Sequence, residues 1–108
     1  MTSAQIRLIL DTEKPAAAKK IVKPVLAAID ATLLSSEPYA KGGIETVLVR
    51  TLAADTWPTQ VLELLRIAQF LGYGWHITGS IDDEISITSE KFRFTGIRWT
   101  CIEASKDE

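Results

Sequence analysis

Lys91-Phe92-Arg93-Phe94-Thr95-Gly96-Ile97-Arg98-Trp99-Thr100-Cys101-Ile102-Glu103 is the stretch on which the reading of the fold turns. Its aromatic and β-branched residues alternate with polar and basic ones, so it reads as a long final strand. The apolar set changes phase within it: Phe92 and Phe94 share one parity, while Ile97, Trp99 and Cys101 share the other. A single bulge at Thr95-Gly96 would bring both sets to one core-facing side, and glycine can take positive φ there without a Cβ penalty. A hairpin turn at the same dipeptide, dividing the segment into two strands, is the alternative; we favour the bulge. Just upstream, Tyr73, Trp75 and Ile77 alternate with Gly74, His76 and Thr78. A turn over Gly79-Ser80-Ile81-Asp82-Asp83 then leads into a short strand from Glu84 to Thr88. The last third of the chain is therefore a succession of strands.

The preceding residues supply two β-α units. Gln5 to Asp11 alternates, with Ile6, Leu8 and Leu10 on one face, which predicts a first strand buried mainly on one side. Asp11-Thr12 offers N-cap chemistry, and Val22, Val25, Leu26, Ile29 and Leu33 recur at helical spacing, predicting a helix to about Leu34. Pro24 removes one helical hydrogen bond at a cost of about 3 kcal/mol, so this helix is read as kinked, or as two short helices nearly in line. Ser35 to Gly43 is a loop by composition and exposes Tyr39. Ile44 to Leu52, with Val47-Leu48-Val49 in a row, reads as a central strand. Asp55 or Thr56 caps a second helix with Trp57 and Pro58 in its first turn. Val61, Leu64, Leu65, Ala68 and Leu71 form its buried stripe, and Gly72 is its natural C′ residue.

The predicted order is β-α-β-α-β-β-β in a single α+β domain, residues 1–108. It implies one mixed, largely antiparallel sheet with both helices packed on one face and the other face partly open. A chain of 108 residues with 46% hydrophobic residues buries enough surface to fold without metal or disulfide staples. The single cysteine, Cys101, precludes an intramolecular disulfide and fits a reducing compartment. No signal peptide or membrane-length apolar run is evident, so a cytoplasmic location is expected.

The net charge of −2 conceals an asymmetry. Residues 1–54 carry seven Lys/Arg against five Asp/Glu, and residues 55–108 carry five against nine. The excess acid comes largely from Asp82-Asp83-Glu84 and the tail Lys106-Asp107-Glu108. Such clusters favour a basic protein partner over nucleic acid, although solvation alone is their commonest use.

Chemistry-bearing residues are sparse. His76 has the parity of the open face, and catalysis there would need a carboxylate such as Glu84 or Asp83 across the hairpin. Asp82-Asp83-Glu84 lacks the twelve-residue spacing of a calcium loop and reads as a turn of solvated charges. The interleaved Lys91, Arg93 and Arg98 with Phe92, Phe94 and Trp99 follows the pattern of single-strand nucleic-acid binders, yet the glycines of an RNA-recognition motif are missing. Gly42-Gly43 has no phosphate-loop context, and Lys19, Lys20 and Lys23 read as a solvated helix face. No cofactor and no metal is predicted, and the chain reads as a non-enzyme.

The small size, the absence of a catalytic constellation, the acidic second half and the open sheet face together resemble the immunity proteins of bacterial contact-dependent growth inhibition and related polymorphic toxin systems. That resemblance implies a cytoplasmic inhibitor that blocks a cognate toxin, commonly a nuclease, by direct binding. It carries over no residue. On physical grounds Asp82, Asp83 and Glu84 would steer a basic partner. Tyr39 and Trp57, taken as exposed aromatics, would supply affinity, with His76 on the open face. A small-molecule-sensing or regulatory ferredoxin-like module, of a kind that is often dimeric, is the alternative reading.

Overall fold

A computed structural model of the chain describes residues 2–106. In chain order the elements are β1 (Ser3–Leu10), α1 (Pro15–Ile29), β2 (Thr32–Pro38), β3 (Ile44–Thr51) and α2 (Trp57–Leu71), then β4 (Gly72–Tyr73), β5 (His76–Thr78), β6 (Glu84–Ser89), β7 (Lys91–Phe92) and β8 (Ile97–Ser105). Six strands form one sheet in the order β2-β3-β1-β8-β6-β5, and every neighbouring pair is antiparallel. β4 and β7 make a separate two-stranded ribbon. The class is α+β, with a largely antiparallel sheet, as the periodicities predict.

The period-2 pattern of β1 decides which face is the core. Ala4, Ile6, Leu8 and Leu10 are fully buried and meet Val22, Val25 and Ile29 of α1 and Leu64, Ala68 and Leu71 of α2 in one cluster. Leu48, Ile85, Ile87 and Ile102 extend that cluster across β3, β6 and β8. Both helices therefore cover the same face, and the opposite face, with Gln5, Arg7, Trp99 and Glu103, has no helix over it. The segment β1-α1-β2-β3-α2-β8, with its strands ordered β2-β3-β1-β8, has the split βαβ arrangement of ferredoxin-like folds. β6 and β5 extend this core beyond β8.

The structure departs from the sequence reading in three places. The first helix stops at Ile29, where Asp30 takes left-handed φ and ψ of 51° and 50° and Ala31 N–H donates to the Leu26 carbonyl at 3.1 Å. Leu33 is thus not on the helical stripe. Thr32–Pro38, expected as helix end and loop, forms edge strand β2, so the element order gains a strand between α1 and β3. Its hydrogen-bond partners lie on β3, beyond the reach of local propensity. The helix itself runs unbroken through Pro24. Lys20 and Pro24 are both exposed, so water can serve the carbonyl that the proline leaves unpaired. The N-cap is Lys14, not Asp11 or Thr12, and the Thr12 hydroxyl accepts the Lys14 N–H instead.

The second departure concerns the final segment. Lys91–Phe92 pairs with β4, and Gly96, at φ 86°, lies in a turn before β8 starts. The favoured bulge at Thr95-Gly96 is therefore not found, and a turn there divides the segment into two strands, as in the alternative reading, although β7 and β8 do not pair as a hairpin. A different bulge lies within β8: Leu10 pairs with Ile97 and Ile9 with Trp99, leaving Arg98 as the extra residue. This parity shift sends Ile97, Thr100, Ile102 and Ala104 to the helix-covered side. Trp99 and Cys101 face the other way, contrary to the core-facing expectation. Cys101 is still buried, beside the Ser86 hydroxyl at 3.4 Å.

The third is the expected strand over residues 73–78, which is broken at Gly74 (φ 66°). Tyr73 and Ile77 are more than half exposed, and Trp75 is partly buried with its Nε1 donating to the Ala68 carbonyl at 3.1 Å.

Gly72 does follow α2, but in extended conformation (φ −173°), so backbone strain does not explain it. Proximity does: a Cβ at Gly72 would collide with the Lys91 carbonyl oxygen where β4 meets β7. Gly72→Ala is expected to cost about 2–3 kcal/mol by overpacking. Thermal unfolding measures it, and a Tm within error of wild type would show that the ribbon yields freely.

Candidate functional site

The described surface offers a sizeable apolar groove. α1 lies against β3, and the residues of edge strand β2 are left exposed beside it. The result is a trough of about 560 Å³ between the helix and the β2–β3 hairpin. Ala18, Val22 and Leu26 form one wall, and Leu33, Pro38 and Ile44 the other. Leu33 keeps 46% of its surface in water there. Lys19 and Lys23, one turn apart on α1, stand along it, while Glu13, Glu37 and Tyr39 belong to the end nearer the hairpin turn. In the floor the Ser36 and Thr46 hydroxyls pair at 3.2 Å, which satisfies a threonine that is otherwise 1% exposed.

β2 adds a second property. All seven of its residues are exposed, and only one of its edges is paired. A free edge presents unpaired N–H and C=O groups to any extended segment that approaches. Register shifts between Leu33 and Ser35, leaving Leu34 as the extra residue, 62% exposed.

The acidic residues sit at the opposite end of the sheet order. Asp83 and Glu84 N–H both donate to the Ser80 carbonyl at 2.9 Å, and Lys106 N–H donates to the Asp83 carbonyl at 2.7 Å. Asp82, Asp83 and Glu84 are thereby held exposed on a tight turn. Five strand spacings, about 24 Å, separate this edge from β2. Asp107 and Glu108, the remainder of the acidic tail, lie outside the described residues.

Trp57 is not an exposed contact. It is 8% exposed, packs in the core, and its Nε1 donates to the Ile81 carbonyl at 2.7 Å. The first turn of α2 faces inward at this point, so the indole anchors the acidic turn from beneath. Tyr39 is partly buried at the groove end.

His76 is exposed on β5, on the sheet face without helices, and pairs with Thr88. Glu84 lies four residues along β6 from Thr88, about 13 Å away, so the two do not form a hydrogen-bonded acid-base pair. Among the described residues no group of three His, Cys, Asp or Glu side chains is placed to hold a metal ion. No helix among them is long and apolar enough to cross a membrane.

The structure thus distributes the sequence-selected residues instead of gathering them: Tyr39 at the groove, His76 on the uncovered face, the acids at the far edge and Trp57 in the core. Sequence reasoning missed the groove, because its second wall is strand β2, in a segment whose local pattern reads as helix end and loop. It also missed Arg7, whose guanidinium lies over Trp99 at 5.6 Å from the ring centroid. The parity of Arg7 opposite Ile6 and Leu8 was the available signal.

Fold and surface together define an α+β protein with a ferredoxin-like core, extended by two strands and grooved beside its free edge. Comparison with protein-family models, curated proteins and solved structures finds no match to the chain.

Proposed function

We propose that this chain is a non-catalytic protein-binding inhibitor, an immunity protein that neutralises a bacterial toxin in the cytoplasm by direct binding. The single observation that carries this reading is edge strand β2, exposed along its whole length beside an apolar groove. An extended segment of the toxin adds to β2, its main chain satisfying the free edge while alternate side chains enter the groove beneath α1. The exposed acids of the distant turn act on encounter, drawing in a basic toxin such as a nuclease.

The test is capture of the partner from lysate of the source cells, followed by binding kinetics with two variants. Leu33→Asp places a charge in the groove on an already exposed residue, and is expected to weaken binding by about tenfold or more, mainly through faster dissociation. Asp82→Lys/Asp83→Lys is expected to slow association and reduce its salt dependence. Undiminished binding by Leu33→Asp would remove β2 from the interface, and an unchanged on-rate in the double variant would remove the acidic turn. A second reading, a small-molecule-sensing ferredoxin-like module, is favoured by the size of the groove, which falls within the roughly 300–1,000 Å³ of ligand pockets. A rise in Tm with a metabolite, by mass action, would select it.

A further inference from the structure

The sheet face without helices carries a smaller depression that neither reading uses. It encloses about 300 Å³ and is lined by Arg7, Ile9, Tyr39, Lys41, Arg98 and Trp99. Three of these six side chains are cationic, two are aromatic and none is acidic, in a chain whose net charge is −2. We propose that this depression binds a small phosphate carrying an aromatic group, of the nucleoside monophosphate class. The proposal does not depend on the partner-binding role of β2.

The cations are held in position by the fold. Arg7 stands on central strand β1 and its guanidinium rests over the Trp99 ring, so the fork is fixed before any ligand arrives. Its Nε is buried and has no hydrogen-bond partner, so the bonding capacity of this side chain is not met within the fold. Arg98, the extra residue of the β8 bulge, reaches across to donate through Nη2 to the Gly42 carbonyl. That bond ties the start of β8 to the β2–β3 turn and brings Lys41 and Tyr39 alongside Trp99. Without the bulge, Arg98 and Trp99 would alternate in the usual way and could not both border one site.

The acids on this face include Glu45, which pairs with Ile9, Glu37, which pairs with Glu45, and Glu103, which pairs with Gln5. Glu45 and Glu37 lie beyond Ile9 from Trp99, Glu103 lies beyond Cys101, and none of the three lines the depression. Among the described residues an ion pair joins Arg50 to Glu63 at 3.1 Å, and no carboxylate lines the depression beside its three cations. Their mutual repulsion is relieved by a multiply charged anion, for which two guanidinium groups and an ammonium are suited donors. Tyr39 and the indole edge offer surface to a planar group, a combination that serves bases and phosphates together. The volume suits a single nucleotide.

The experiment is calorimetric titration of the full chain with adenosine 5′-monophosphate, adenosine and inorganic phosphate at low salt. The nucleotide is expected to bind with a Kd below about 1 mM, and the other two at least about tenfold more weakly. Arg7→Gln and, on the exposed hairpin turn where folding is not at stake, Lys41→Gln are each expected to weaken nucleotide binding about tenfold. Lys19→Gln, a groove cation, should leave it unchanged. No binding by the nucleotide, or equal loss in Lys19→Gln, would overturn the site. Phosphate binding as tightly as the nucleotide would overturn the aromatic ligand class, and a single-stranded oligonucleotide binding far more tightly would overturn the single-nucleotide occupant. None of these results bears on Leu33→Asp, so the two proposals fail separately.

Discussion

Trp57→Ala is expected to lower the unfolding free energy by about 3–5 kcal/mol, the usual cost of deleting a buried large aromatic side chain. In a domain of this size that corresponds to a fall in Tm of at least roughly 12 °C. Two contributions add. The indole packs in the core at 8% exposure, and its N–H is bonded to the Ile81 carbonyl at 2.7 Å. Trp57→Phe separates them, since it keeps most of the apolar body and loses only the hydrogen bond, for about 1 kcal/mol. In both variants the turn carrying Asp82 and Asp83 loses its anchor, so amide exchange at Ile81–Glu84 should speed up even where global stability is nearly kept. Calorimetric unfolding together with hydrogen exchange measures the pair. If Trp57→Ala kept its Tm and lost only partner binding, the residue would belong to an interface after all.

Glu63→Ala is expected to cost about 2–3 kcal/mol, because one carboxylate serves three donors. Its Oε1 accepts Ala54 N–H at 2.9 Å, and its Oε2 accepts Ala53 N–H at 2.9 Å and Arg50 Nη2 at 3.1 Å. Arg50 in turn donates through Nη1 to the Ile29 carbonyl at 3.1 Å, closing the C-terminal end of α1. The network joins α2, the β3–α2 connection, β3 and α1, and most of its surface is shielded, with side chains 21% and 17% exposed. Removing the carboxylate strands a partly buried guanidinium and two amides. Glu63→Gln retains an acceptor without the charge and should lose about half as much. Urea unfolding decides the matter, and a loss below about 0.5 kcal/mol would show that the β3–α2 connection holds without this residue.

Neither Trp57 nor Glu63 could be read correctly from its neighbours in the chain. Trp57 lies at a helix start beside Pro58, where exposed and inward-facing positions look alike, and its hydrogen-bond acceptor is 24 residues away. Glu63 has the parity of a solvated helix face, and its role appears only when β3 delivers Arg50 and the following amides beside it. The candidate site was legible to the same limited extent. Asp82, Asp83, Glu84 and His76 are exposed as their composition and parity suggest, but the groove and the Arg7–Trp99 pocket are made by segments that meet only in the folded sheet.

What the sequence by itself determined is whatever repeats locally. The alternation of Ile6, Leu8 and Leu10, the helical stripes of Val22, Val25 and Ile29 and of Val61, Leu64, Ala68 and Leu71, and the strand-rich last third suffice for an α+β class with both helices on one face. These patterns work because burial of one face selects a period of 2 or 3.6 within a few neighbouring residues. Tertiary structure alone decided that Thr32–Pro38 is a strand, that Arg98 is the bulged residue of β8, and that Trp57 turns inward. In each case the deciding hydrogen bonds come from distant partners: Val49 opposite Thr32, Leu10 opposite Ile97, the Ile81 carbonyl opposite Trp57. A strand at a sheet edge gains most of its stability from the ladder it joins, and that ladder is invisible in the seven residues that join it.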